Sequence, residues 1–157
     1  MNSLLAILAR RTRALTSIFL LAALTLGLGA CGDDEPEPTS MTWTVDGTPV
    51  QATSVTAQFQ PASGLVAVTG TSATGSKLQI IFPRVVGVQP ISSTGQASGI
   101  YNDGTNYAAN NNQGSGGIIV NSVTDNSVRG TFSFTAPPTQ TSGPEKVISN
   151  GSFQASF

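Results

Sequence analysis

The chain has 157 residues, with seven Lys and Arg, eight Asp and Glu, no His and a formal net charge of −1. Without histidine there is no His-based triad and no His-ligated metal, and a single cysteine leaves no intrachain disulfide. Charged residues make up 10% of the chain, against about 25% in an average domain, so the surface must be built mainly from Ser, Thr, Asn, Gln and Gly.

Residues 1–30 read as a processing segment. Arg10, Arg11 and Arg13 form a basic start, and the apolar run from Ile18 to Ala30 ends in small residues before Cys31. That is the layout of a cleaved secretory signal peptide. The run is shorter than the roughly 20 apolar residues that a membrane-crossing helix needs. Residues 31–40 then form a tether. Acid and proline together in "CGDDEPEPTS" prevent a packed element and predict a disordered, extended spacer of roughly 3.1 Å per residue.

Two resemblances give the tether an address. Leu28-Gly29-Ala30-Cys31 resembles a bacterial lipobox, which implies cleavage before Cys31 and a diacylglyceryl group on its sulfur. Membrane attachment is then expected through lipid on Cys31, with enough acyl chains for stable anchoring. Cys31 followed by Gly32 and the acids Asp33, Asp34 and Glu35 is similar to the export signal of Bacteroidota lipoproteins. That resemblance implies an outer-membrane protein at the cell surface. The alternative is a plain spacer, with the domain facing the periplasm.

Residues 41–157 are expected to form one domain, with four cations (Lys77, Arg84, Arg129, Lys146) against four acids (Asp46, Asp103, Asp125, Glu145). A neutral domain has no electrostatic footprint for nucleic acid. Its pattern has period two, broken by frequent turn signals. "MTWTV" puts Trp43 and Val45 on one face, and Asp46-Gly47 is a hairpin signal. Strands are expected over 49–59, 65–71 and 77–82, with turns at 61–64 and 72–76. Residues 84–92 read as an irregular crossing around Pro90. Short strands at 97–102 and 105–110 flank Asp103-Gly104, and a polar loop covers 110–117. Strands return at 117–123 and 128–136, the latter with Val128, Gly130, Phe132 and Phe134 on its buried face. In the last strand, 146–157, Asn150-Gly151 predicts a bulge. The expected class is all-β: an antiparallel β-sandwich of about 8–10 short strands, with a small meander β-barrel as the alternative.

The opening "MTWTVDGTPVQATSV", the Gly99-Ile100-Tyr101 segment, "VRGTFSFTA" and the closing "ISNGSFQASF" resemble a family of small Bacteroidota lipoproteins, whose domain has no known function. The resemblance implies an all-β fold behind a lipid anchor. It supplies no activity and no catalytic residue.

Asp46, Asp103 and Asp125 sit at turn positions, where Asp is favoured for backbone reasons. Nothing pairs them as a glycosidase would, so no enzyme activity, catalytic residue or cofactor is expected. A calcium site at 102–106 has a single Asp, too few carboxylates for that ion, and no metal is assigned. The aromatic and amide side chains of Tyr101, Asn102, Asp103, Asn106 and Tyr107, joined by Trp43, suit sugar rings and hydroxyls. Two functions therefore stand side by side: a non-catalytic module binding a glycan, peptide or protein partner, and a structural envelope subunit without a small ligand.

Overall fold

The computed structural model describes residues 38–140 and 142–157. The signal peptide (1–30), Cys31 and the acids Asp33, Asp34 and Glu35 lie outside the described residues. Ten strands form: β1 (Ser40–Val45), β2 (Thr48–Gln60), β3 (Leu65–Ser72), β4 (Lys77–Pro83), β5 (Gly87–Ile91), β6 (Ser98–Asn102), β7 (Asn106–Ala109), β8 (Ser115–Val123), β9 (Ser127–Ala136) and β10 (Lys146–Ser156). No helix occurs among the described residues.

Period-two alternation builds these strands. Met41, Trp43 and Val45 of β1 point inward, as do Val66 and Val68 of β3, Leu78, Ile80 and Phe82 of β4, and Val128, Phe132 and Phe134 of β9. Asp46 and Gly47 take φ of 48° and 87°, the positive-φ pair that a tight hairpin between right-twisted strands requires. At Asn150 φ is 49°, and the β10 register shifts between Ile148 and Gly151. The expected bulge is present.

All ten strands belong to one antiparallel sheet, in the order β5-β8-β9-β10-β1-β2-β3-β4-β6-β7. Strand β2 turns its corner: Thr48–Gln51 pair with β1, and Ala52–Gln60 pair with β3, with a register shift between Ala52 and Ser54 at the start of that second ladder. A strand that changes partners at a bulge is the usual way to fold a sheet over on itself. The two halves then meet face to face, with Phe82 of β4 5.2 Å from Phe153 of β10, ring centre to ring centre. Closure is nearly complete. The outer edge of β7 meets the segment after β9, where Ala108 N–H donates to Pro137 O at 3.1 Å and Thr139 N–H donates to Asn106 O at 2.9 Å. The all-β antiparallel reading of about 8–10 strands holds, and the single sheet takes the barrel-like form of the two arrangements.

One segment differs from expectation. Residues 84–92 do cross the molecule, but Gly87–Ile91 within them form strand β5, which pairs with β8 from Gly87↔Val120 to Ile91↔Gly116. The physical reason is that β5 is an edge strand. Pro90 faces Gly117 in the ladder, and a proline is tolerated where its nitrogen points away from the neighbouring strand.

Antiparallel strands reverse at every turn, so the turns sort to two ends of the barrel. Turns 46–47, 73–76 and 103–105 share one end with the start of β10, and this is the cleft end. Turns 61–64, 84–86 and 124–126 share the other with the start of β1 and the end of β10, and this is the tether end. Arg84 closes the tether end. Its guanidinium lies 4.7 Å from the Phe59 ring centre and 5.3 Å from that of Phe157. It donates to Thr124 O and approaches Asp125 at 3.8 Å.

Candidate functional site

At the cleft end the three turns surround an open cleft of about 890 Å³. Each turn contributes a different chemistry. The β3–β4 turn brings hydroxyls: Ser72 Oγ lies 2.7 Å from Ser76 Oγ and 2.9 Å from Thr74 Oγ1, and it accepts from Ser76 N–H at 3.1 Å. Ser72 and Ser76 are buried. Their mutual bonds satisfy polar groups that would otherwise be costly away from water. Pro49, Val50 and Gln51 of β2 line the opposite wall.

The β1–β2 turn brings a carboxylate, and the start of β10 an ammonium. Lys146 Nζ donates to Asp46 Oδ2 at 2.9 Å and lies 3.7 Å from Asp103 Oδ2. Val147 N–H donates to Asp46 Oδ1 at 3.0 Å. These contacts hold the Asp46 carboxyl below the usual carboxylate range, the Val147 N–H contributing most and Lys146 next. The same hydrogen bond raises the Lys146 ammonium pKa. Both groups therefore stay charged near neutral pH. Two acids and one cation give the cleft a net charge of −1.

The sequence-predicted residues divide. Tyr101, Asn102 and Asp103 do line the cleft. Tyr101 is only 5% exposed, so it offers a ring edge and a hydroxyl rather than an open stacking face. Burial raises its phenol pKa, opposed by a hydrogen bond with Ser76. Asn102 is engaged within its own hairpin, donating from Nδ2 to Asn106 Oδ1 at 2.7 Å and accepting from Gly104 N–H at 3.2 Å. Asn106 is outside the cleft lining, and so is Tyr107. The Tyr107 ring centre lies 6.2 Å from that of Tyr101, with Lys146 Nζ 5.7 Å away. Trp43 is a correction: it is 1% exposed and belongs to the core under β1. Its position in the inward alternation Met41-Trp43-Val45 is the reason.

Sequence reasoning missed Asp46, Lys146, Ser72, Thr74 and Ser76 as cleft residues. The turn signals at 46–47 and 72–76 were visible. Alternating strand direction would have put both at one end. Placing Lys146 beside Asp46 requires the β1–β10 pairing, where Val45 faces Ile148.

The cleft mixes donors, acceptors and apolar surface. Its hydroxyls and amides both donate and accept, its carboxylates accept and its ammonium donates, beside an apolar wall of Val45, Pro49 and Val50. Among the described residues no three His, Cys, Asp or Glu side chains converge on a metal position.

Fold and cleft together define a barrel-like all-β domain with a polar cleft at one end. The chain belongs to the family described as Domain of unknown function (DUF6252), which it matches over residues 38–155. No curated protein and no solved structure matches it.

Proposed function

We propose that the mature chain is a lipid-anchored, non-catalytic lipoprotein of a Bacteroidota-type outer membrane, exposed at the cell surface, that binds a glycan in its end cleft. The observation carrying this reading is the cleft itself: three turns and the start of β10 supply hydroxyl, amide, carboxylate and ammonium groups around one opening of about 890 Å³. Polyols are recognised by such mixed donor and acceptor sets beside apolar patches. The lipobox-like "LGAC" and the acidic "CGDDE" support the anchor and the surface address.

Two measurements test it. Purified full-length chain is screened against neutral, amine-bearing and acidic glycans, alongside Ser76→Ala and Lys146→Met. Binding that is weakened in both variants supports the cleft. Intact cells are also treated with a non-permeant protease, comparing wild type with Asp33, Asp34 and Glu35 all replaced by Ala. Accessible wild type and protected variant support the export signal. A protected wild type moves the domain to the periplasmic face.

A second reading, an envelope subunit that recruits a protein partner, rests on a different observation. Val88 of β5 and Ile119 of β8 face each other in register and are 69% and 47% exposed. An apolar pair on an edge strand suits a protein contact. Crosslinking from Val88→Cys would detect that partner.

A further inference from the structure

We infer that the cleft is held on the end of the domain that faces away from the membrane, so that its ligand arrives from the surrounding medium and is not a component of the anchoring bilayer. The inference rests on the lipid-anchor reading of Cys31 and extends it to orientation.

Strand direction makes the first step. Strand β1 starts at Ser40 opposite Gln154 and runs to Val45 opposite Ile148. The chain leading from Cys31 therefore joins the domain at the tether end, beside the Arg84 plug. The cleft residues Asp46, Ser72, Asp103 and Lys146 lie at the opposite end.

Length makes the second step. Nine residue steps separate Cys31 from Ser40, and no conformation can stretch them beyond about 32 Å. Strand β10 has 11 residues and runs between the two ends. At about 3.3 Å per residue and a typical tilt of about 40°, it spans roughly 27 Å of barrel height. Turns at both ends add to that height. Turning the cleft towards the lipid would need the tether drawn almost fully taut along the barrel wall. Such a stretched chain forfeits most of its conformational entropy. With the tether end towards the bilayer no stretching is needed.

Charge acts in the same direction. The cleft end holds Asp46, Asp103 and Glu145 against Lys77 and Lys146, and the tether end holds Arg84 and Arg129 against Asp125. An anionic lipid surface therefore repels the cleft end more than the tether end.

Single cysteines read the orientation directly, because Cys31 is the chain's only cysteine and its sulfur is alkylated if the anchor reading holds. Lipidated protein carrying Ala62→Cys at the tether end, or Ala73→Cys at the cleft end, is placed in phospholipid vesicles. It reacts with a bulky, membrane-impermeant maleimide, and rates are compared with those in detergent. Both alanines are exposed turn residues, so neither change disturbs the core. The expected result is a several-fold slowing on vesicles for Ala62→Cys and an unchanged rate for Ala73→Cys. A flexible Gly/Ser insertion that doubles the tether should shrink the difference. Equal rates at the two sites, or slowing at Ala73→Cys alone, would overturn the inference while the anchor stands. Labelling of the wild-type protein at Cys31 would instead remove the anchor, and the inference with it.

Discussion

At the residue scale, Asp46 and Arg84 hold the two ends of the barrel by different physics. Asp46 fastens the β1–β2 turn to β10 through Val147 N–H and Lys146. Its folded pKa lies below the unfolded value of about 3.9. The stabilisation is therefore complete above that pH and is lost as pH falls through the folded value. The carboxylate is partly exposed, so the effect is below about 1 kcal/mol. Thermal melts between neutral pH and pH 3 should show this acid-limb loss in wild type and not in Asp46→Asn, which still suits the positive-φ turn. The Lys146 pKa is raised, so its contribution is present at neutral pH and fades only as pH climbs through its folded value. Arg84 acts by packing its guanidinium over the adjoining rings of Phe59 and Phe157. Its Nε is buried without a partner, so truncation removes an unsatisfied donor along with the stacking. Arg84→Ala should cost about 1–2 kcal/mol in urea unfolding. Arg84→Lys should recover less than half, since an ammonium cannot stack as a plane.

At the element scale, glycines opposite phenylalanines let the sheet fold tightly on itself. A Cβ on Gly99 of β6 would stand 2.5 Å from Cε1 of Phe134 on β9, across the core. Phe132 covers Gly151 on the neighbouring strand in the same way, while a Cβ on Gly130 would meet Ile119 O at 2.2 Å before the Phe153 ring at 2.9 Å. Gly99→Ala should destabilise by about 1–3 kcal/mol through overpacking. Phe134→Leu in the Gly99→Ala background should restore part of that loss, and a double-mutant cycle would measure the coupling. Additive losses would show that Gly99 is needed for some other reason. The bulge at Asn150 has a similar element-level role. Both β1 and β9 shift register against β10 there, so β10 carries the bend for three strands.

At the scale of the molecule, stability comes from apolar contact across the folded sheet and very little from charge. The described ion pairs all involve Arg84 or Lys146 and sit at the barrel ends. Surface pairs of this kind contribute about 0–1 kcal/mol each and are screened by salt. Raising sodium chloride from low concentration to about 1 M should therefore move Tm by less than about 4 °C. A larger fall would mean that the end pairs contribute more than their exposure implies. The scarcity of charge also leaves the cleft's Asp46, Asp103 and Lys146 as the main concentrated electrostatic feature among the described residues, and under the proposed function mutation there should alter binding more than folding.

The sequence by itself determined the strands, because burial of alternate side chains is a local pattern with period two. Phe132 and Phe134 on one face, the Asp46-Gly47 hairpin and the Asn150-Gly151 bulge were all legible for that reason. Tyr101, Asn102 and Asp103 were legible as candidate cleft residues because they cluster within one hairpin. The address proposed for Cys31 and the acids after it also rests on short, local sequence. Tertiary structure decided the rest. Gly87–Ile91 became a paired edge strand because β8, distant in sequence, offered a partner that tolerates Pro90. Trp43 joined the core because the opposing half of the sheet covers it. Lys146 met Asp46 across 100 residues of chain, because the first and last strands pair in the middle of the sheet. A pairing of that range leaves no periodic trace in either segment, so the cleft existed only once the first and last strands had paired.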